Sequence, residues 1–427
     1  MLVVLAVLAA AGCSAGSASP ATSTAPASTS GAPAGSAPGD ASRAAAGPGG
    51  TAPGTTGTTG TTAAPAPPEQ FGGPLEEFYR VPSPLPAGEP GTLIRVMPVK
   101  SDATSVTVRV MYHSRDAQDH DRAVTGTITY PVAAAPAGGW PVTAWAHGTT
   151  GLTSICAPSR NGGTAPSFGV DGVRVATDYI GLGPIGERHP YLSGASEAHS
   201  VIDSVRAARL LPDAHAGTRW VAIGHSQGGH SALFTNELGQ AYASELELLG
   251  TVVVAPAAVL LKTFGPADQI VPRMVGIMAL YGWAADYPEV KPDDYVGDDV
   301  KARAGVIDEK CLNDVVLSFV AIPVETFYKD RPDMKEPAAS VIKANDPGQV
   351  KVAAPLLLAY GTADAWVVPD RVAALDEQLC AIGQVTELAK IDGADHGTEM
   401  AKGAAVYAKW IQNRFAGVAP TNTCAAS

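Results

Sequence analysis

Five short runs, residues 141–146, 173–176, 220–223, 251–255 and 355–360, are mainly apolar from end to end, and stretches with helical spacing separate them. A strand with one wet face alternates apolar and polar residues, whereas one that is apolar throughout must be covered on both faces. A parallel sheet with crossover helices on both sides meets that condition. The helical stretches are 197–211, 228–243, 371–382 and 399–415. In the first, Val201, Val205, Ala208 and Leu211 recur at helical spacing and form one apolar stripe. A weaker last strand, 385–391, precedes the final helix. Ahead of this alternation, 93–96, 106–110 and 124–130 favour strands, and the last two alternate as half-buried antiparallel strands do. The expected fold class is α/β, with a mostly parallel central sheet and helices on both faces. Between 259 and 352 the alternation breaks into short helical and proline-punctuated pieces, including 272–283 and 312–328. That stretch joins two sheet strands, so it is read as an inserted helical cap. The body is then 71–258 with 353–418, followed by a tail, 419–427.

The N-terminal part belongs to a different regime. Residues 1–11 are a short apolar run that leads into Ala-Ala-Gly-Cys, the pattern of a signal peptide (1–13) with a small-residue cleavage site. The run is too short to span a bilayer. Its end resembles a bacterial lipobox, which makes Cys13 the expected lipidation site and gives the protein membrane contact through a lipid anchor. Ala10 stands where Leu is usual, and no Lys or Arg precedes the run, which points to a start upstream of Met1. Simple secretion is the alternative. Residues 14–70, dominated by Ala, Ser, Thr, Gly and Pro, cannot repay the entropy of ordering and read as a disordered tether. The expected location is extracellular or attached to the cell envelope. A formal charge of −12, with no basic cluster to offset it, argues against nucleic acid as a partner. A monomer is expected.

Beyond Cys13 the cysteines are Cys156, Cys311, Cys380 and Cys424, an even number in a chain that leaves the cytoplasm. Four cysteines allow three pairings. Position favours Cys156 with Cys311, joining the body to the cap, and Cys380 with Cys424, holding the tail. No spacing resembles a C-x-x-C pair or a zinc set, so neither metal nor cofactor is expected.

Gly224-His225-Ser226-Gln227-Gly228 fits G-x-S-x-G, with an apolar strand before it and a helix after it, the context of a nucleophile elbow. A serine hydroxyl needs a base, and the base needs an acid to hold it. In the fold that uses this elbow the chain order is Ser, acid, His. His396 lies in a loop between the last strand and the last helix and is the expected base; His230, four residues beyond Ser226 within the elbow helix, could not reach back. Asp364 follows the strand 355–360 and is the expected acid, with Asp392 and Asp395 as alternatives. An oxyanion would need backbone amides. One belongs to Gln227, the residue after the nucleophile, and the other is assigned to Thr149 in His147-Gly148-Thr149-Thr150-Gly151. His147, His225 and His199 read as structural.

These residues together resemble the secretory lipase family of the α/β-hydrolase superfamily, known from yeast secreted lipases and with many actinobacterial relatives. The resemblance covers about 71–415. It rests on the H-G-T loop at His147, on Ala176-Thr177-Asp178-Tyr179-Ile180-Gly181-Leu182-Gly183 with His189-Pro190-Tyr191, on the elbow, and on the Asp364 and His396 loops. It implies an exported carboxylic-ester hydrolase acting on acyl esters or lipids through an acyl-enzyme, with a helical cap before the acid-bearing strand. It also implies that Asp178 and Tyr179, at the end of a strand taken to neighbour the elbow strand, border the pocket. From the residues alone, a turn-capping Asp178 and a packing Tyr179 are equally open. Two other readings compete: an envelope acyltransferase or peptidase on the same triad, and a non-catalytic lipid-binding lipoprotein.

Overall fold

The computed structural model describes residues 67–260 and 270–426. The signal segment, Cys13, the tether up to residue 66, and 261–269 of the cap lie outside the described residues.

A single ten-stranded sheet organises the rest, in the order β1-β2-β3-β4-β6-β5-β7-β8-β9-β10. The antiparallel start is β2 (Leu93–Ser101), β3 (Ser105–Arg115) and β4 (Asp121–Pro131). The parallel part is β5 (Trp140–Ala146), β6 (Val173–Thr177), β7 (Ala216–His225), β8 (Glu247–Val254), β9 (Leu356–Gly361) and β10 (Thr386–Ile391). Each expected strand is present. The sheet also takes up β1 (Glu69–Gln70), two residues that composition alone placed in the tether. They pair with Arg95 and Val96, and Glu69 meets the Arg95 guanidinium at 3.0 Å.

Strand alternation explains the two covered faces. α1 (Gly194–Leu210) and α2 (Gln227–Tyr242) lie on one of them. There α1 buries Val201, Ile202 and Val205 against Val142, Ala144, Val173 and Val175, and α2 packs Ala232 and Leu233 against Val253 and Leu358. The intervening positions Val252, Val254, Leu357 and Ala359 point the other way, onto Tyr407, Trp410 and Ile411. Fully burying one such side chain is worth roughly 1.5–3 kcal/mol, so this face alone fixes the last helix firmly.

Between β8 and β9 run α3 (Ile270–Trp283), α4 (Leu312–Phe319), α5 (Val324–Phe327) and α6 (Ala338–Ala344). The stretch expected to be helical over 312–328 is broken, because Pro323 has no amide to continue the ladder. Met274, Met278, Leu280, Val315, Phe319 and Phe327 are buried in one cluster with Leu152, Tyr191 and Leu192 of the body, whereas Leu317 is exposed. The apolar faces of the insertion therefore mostly pack it down.

After β9 come α7 (Pro369–Ala381), α8 (Glu399–Lys402) and α9 (Ala404–Phe415). The last two were expected as one helix. It breaks at Gly403, a poor helix former over which the Tyr407 ring closes while its hydroxyl donates to the Glu399 carbonyl at 3.2 Å. Both anticipated disulfides are present, Cys156–Cys311 and Cys380–Cys424. The tail is held by more than its disulfide, since Asn422 and Thr423 hydrogen-bond the edge of β10 at Thr386 and Leu388.

Candidate active site

The elbow is built by glycines that admit no side chain. A Cβ at Gly224 would stand 1.8 Å from the Gly228 carbonyl oxygen, and one at Gly228 would stand 1.9 Å from that of Ala146. Strand β7 and helix α2 thus cross too closely for any residue but glycine. The tight turn forces Ser226 to φ 60°, ψ −119°, in the left-handed half of backbone space that a serine rarely enters. Hydrogen bonds over-determine that conformation: Ser226 N donates to Val254 O at 2.9 Å, and Ser226 O accepts from Ala257 N at 3.1 Å. The hydroxyl is thereby held at the carboxyl end of the sheet.

Two other strand ends converge on it. His396, in the loop after β10, places Nε2 2.9 Å from Ser226 Oγ. Its Nδ1 lies 2.8 Å from Oδ2 of Asp364, in the loop after β9. Oδ1 of Asp364 accepts from the amides of Trp366 (2.7 Å) and Val367 (3.0 Å). Burial pushes the Asp364 carboxyl up, but the His396 bond and charge and the two amides outweigh it and hold the group below the usual carboxylate range. Trp366 stacks on the His396 ring, centroids 5.3 Å apart and planes 10° from parallel. The alternatives are elsewhere: Asp395 bonds Thr398 at 2.7 Å, and His230 is tied to Glu197 at 2.8 Å within the core.

The H-G-T loop leaves β5 beside the elbow. A Cβ on Gly148 would be 3.5 Å from Ser226 Cβ, and Thr149, next in the chain, is fixed by a 2.8 Å hydrogen bond between its hydroxyl and that of Tyr191. Gln227 opens α2, so its amide has no acceptor inside the helix. Its side chain is buried and donates to Glu197 Oε1 and His189 Nε2, at 2.8 and 2.7 Å.

Asp178 and Tyr179 are both buried, and β6 neighbours β5 and β4 rather than the elbow strand. Asp178 accepts from the Ser159 amide and hydroxyl and from the Thr125 hydroxyl. Tyr179, at φ 68°, donates to the His147 carbonyl at 2.9 Å. Tyr179 thereby ties down the residue that begins the H-G-T loop. His147 is buried, which lowers its pKa, and His199 stacks on Tyr242 with centroids 3.9 Å apart; both are structural.

Sequence reasoning missed Glu399. Its side chain is fully buried, accepts from Gly361 N, meets Asp364, and has Oε2 3.2 Å from His225 Nε2. Ligand atoms of His225, His396 and Glu399 come within 4.8 Å of one another. Both nitrogens of His396 are committed to Ser226 and Asp364, however, so the trio is a hydrogen-bonded cluster rather than a ligand set.

Chemically, a hydroxyl bonded to an imidazole that is bonded to a carboxylate can transfer an acyl group. The profile described as "Secretory lipase" matches residues 170–423. Lipase 4 of Candida albicans is 25% identical over 396 residues, covering 82% of this chain and 83% of that protein. Among solved structures, Candida antarctica lipase A in its closed state superposes with a TM-score of 0.68 at 19% identity, covering 81% of this chain and 87% of that one. The rice cell wall degrading esterase LipA from Xanthomonas oryzae gives 0.63 at 19%, covering 78% and 97%. The α/β-hydrolase fold follows from these likenesses and the sheet.

Proposed function

The chain belongs to the secretory lipase family and is a carboxylic-ester hydrolase, and from that premise we propose that it works through Ser226, His396 and Asp364 by way of an acyl-enzyme. His396 takes the Ser226 proton as the hydroxyl attacks the ester carbonyl, Asp364 holds the imidazole in the required tautomer, and His396 then returns the proton to the leaving alcohol. The amides of Gln227 and Thr149 receive the oxyanion. Water repeats the sequence and frees the acid. The observation that carries this reading is the unbroken relay of 2.9 and 2.8 Å across three strand ends.

The family implies export and a lipid or ester substrate. No helix among the described residues is long and apolar enough to cross a membrane. We extend the proposal to a lipid anchor at Cys13 and a tether that reaches to the folded body. Residues 259–352 act as a cap, a role supported by the Cys156–Cys311 disulfide and by the bond from Leu312 N to Thr150 O at 2.9 Å, which fasten the insertion to the oxyanion loop.

The test is covalent. A fluorophosphonate should label the wild type and fail to label Ser226→Ala, and that variant should lose ester hydrolysis by a factor on the order of 10⁶, the loss that removing the nucleophilic serine produces in a serine protease. A folded Ser226→Ala protein that keeps a tenth of the activity refutes the mechanism. Activity on p-nitrophenyl esters but not on aminoacyl p-nitroanilides separates ester hydrolysis from peptidase chemistry.

A further inference from the structure

We infer that Glu399 is a positioning residue for the reaction: its carboxyl donates a hydrogen bond to the carboxylate of Asp364 and so holds the acid that holds His396. The inference rests on the proposed triad and adds a fourth member to it.

Proton counting assigns the donor. An ionised carboxylate only accepts, so two carboxyl groups in contact share a hydrogen bond only when one carries a proton. Asp364 already receives three N–H groups, from Trp366, Val367 and His396, which is the environment of an ionised acid. The proton therefore sits on Glu399. The titratable groups facing it are Asp364, Asp395, His225 and His396, with Tyr407 of α9 bonded to its backbone carbonyl. Burial first, then the Asp364 charge, push the Glu399 carboxyl up to about 9. Burial, and next the charge of His396, push His225 down to about 3, so it remains neutral and supplies no counter-charge.

The backbone is arranged to admit this carboxyl. A Cβ on Gly361 would stand 2.7 Å from Glu399 Oε1 and 2.3 Å from Ala394 O, so the last residue of β9 must be glycine for its amide to reach Glu399. Asp364 is only three residues further on. The strand end, the acid loop and the start of α8 are thus locked together around one neutral carboxyl. When Glu399 ionises, two negative charges stand in contact and the lock fails.

The experiment uses the purified full chain with p-nitrophenyl butyrate. Glu399→Gln keeps a neutral donor that cannot ionise, so it should stay within about threefold of wild type at pH 7, while the alkaline limb of kcat/KM near pH 9 moves upward or vanishes. Glu399→Ala removes the donor. A hydrogen bond to a charged group is worth roughly one to two powers of ten, so kcat should fall by that factor with KM nearly unchanged. An alkaline limb left in place by Glu399→Gln overturns the inference, as does a folded Glu399→Ala enzyme at full rate. Should Glu399→Ala not fold, the Glu399→Gln profile decides alone. Fluorophosphonate labelling of the wild type separates the two levels: no label at Ser226 sinks the triad itself, whereas a labelled enzyme with an unchanged Glu399→Gln profile sinks only the role of Glu399.

Discussion

Gly228→Ala is the sharpest test of how the fold makes the site. The new Cβ would stand 1.9 Å from Ala146 O, 2.5 Å from the carbonyl carbon of Ala146 and 2.8 Å from His147 O. All three are backbone atoms, so no side chain can swing aside. A carbon–oxygen contact needs about 3.3 Å, and α2 must therefore back away from β5 by about 1.4 Å. Ser226 caps α2 and Thr149 follows β5, so the same movement pulls the nucleophile from one of its proposed oxyanion amides. A displacement of about 1 Å costs on the order of 10²-fold in rate, and overpacking costs about 1–3 kcal/mol in stability. Gly239→Ala in the same helix is the control. Its Cβ would meet Leu248 Cδ2 at 3.4 Å, an ordinary contact, and alanine in place of a mid-helix glycine stabilises by about 0.5–1 kcal/mol. The assay is kcat/KM on p-nitrophenyl butyrate together with the thermal midpoint. Gly228→Ala should lose about a hundredfold and melt earlier; Gly239→Ala should keep full activity and melt slightly later. A Gly228→Ala enzyme with wild-type kcat/KM would show that the strand–helix approach does not set the catalytic geometry.

Asp364→Asn should lower kcat by a factor on the order of 10⁴, the loss the corresponding change produces in a serine protease, while circular dichroism stays native; a loss below tenfold would return the acid role to open question. Replacing Cys156 and Cys311 together by Ser should reduce kcat as well as the melting temperature, because Gly151 pairs with Cys311 in the oxyanion loop. The matching change at Cys380 and Cys424 should lower only the melting temperature, by a few kcal/mol in stability at most, and equal kcat losses in the two double variants would contradict this. The Glu399 carboxyl is raised in the folded state, so its contribution is full below the unfolded pKa and is lost as pH rises toward about 9. Thermal melts should therefore show wild-type stability declining across that window and Glu399→Gln declining less; parallel curves would rule out a protonated Glu399.

What the sequence revealed and what it hid divide along a physical line. Ser226, Asp364 and His396 could be read because each follows an apolar strand, and in a parallel sheet all such loops emerge at one edge. The strand runs were readable for a related reason: burial on both faces leaves a local compositional trace. Contacts between residues distant in sequence leave no such trace. The position of β6 beside β5 rather than β7 depends on strand order, which periodicity does not encode, and it is this order that sets Asp178 and Tyr179 one strand away from the elbow strand. Glu399 was hidden more thoroughly. An acidic residue in the first turn of a helix complements the helix dipole and invites no other explanation. Its meaning lies in Gly361, 38 residues away in sequence, whose amide it accepts. A glycine ending an apolar strand three residues before an acid does carry a signal in the sequence, since something must occupy the space its missing Cβ leaves. Only the fold says that the occupant is a carboxyl group.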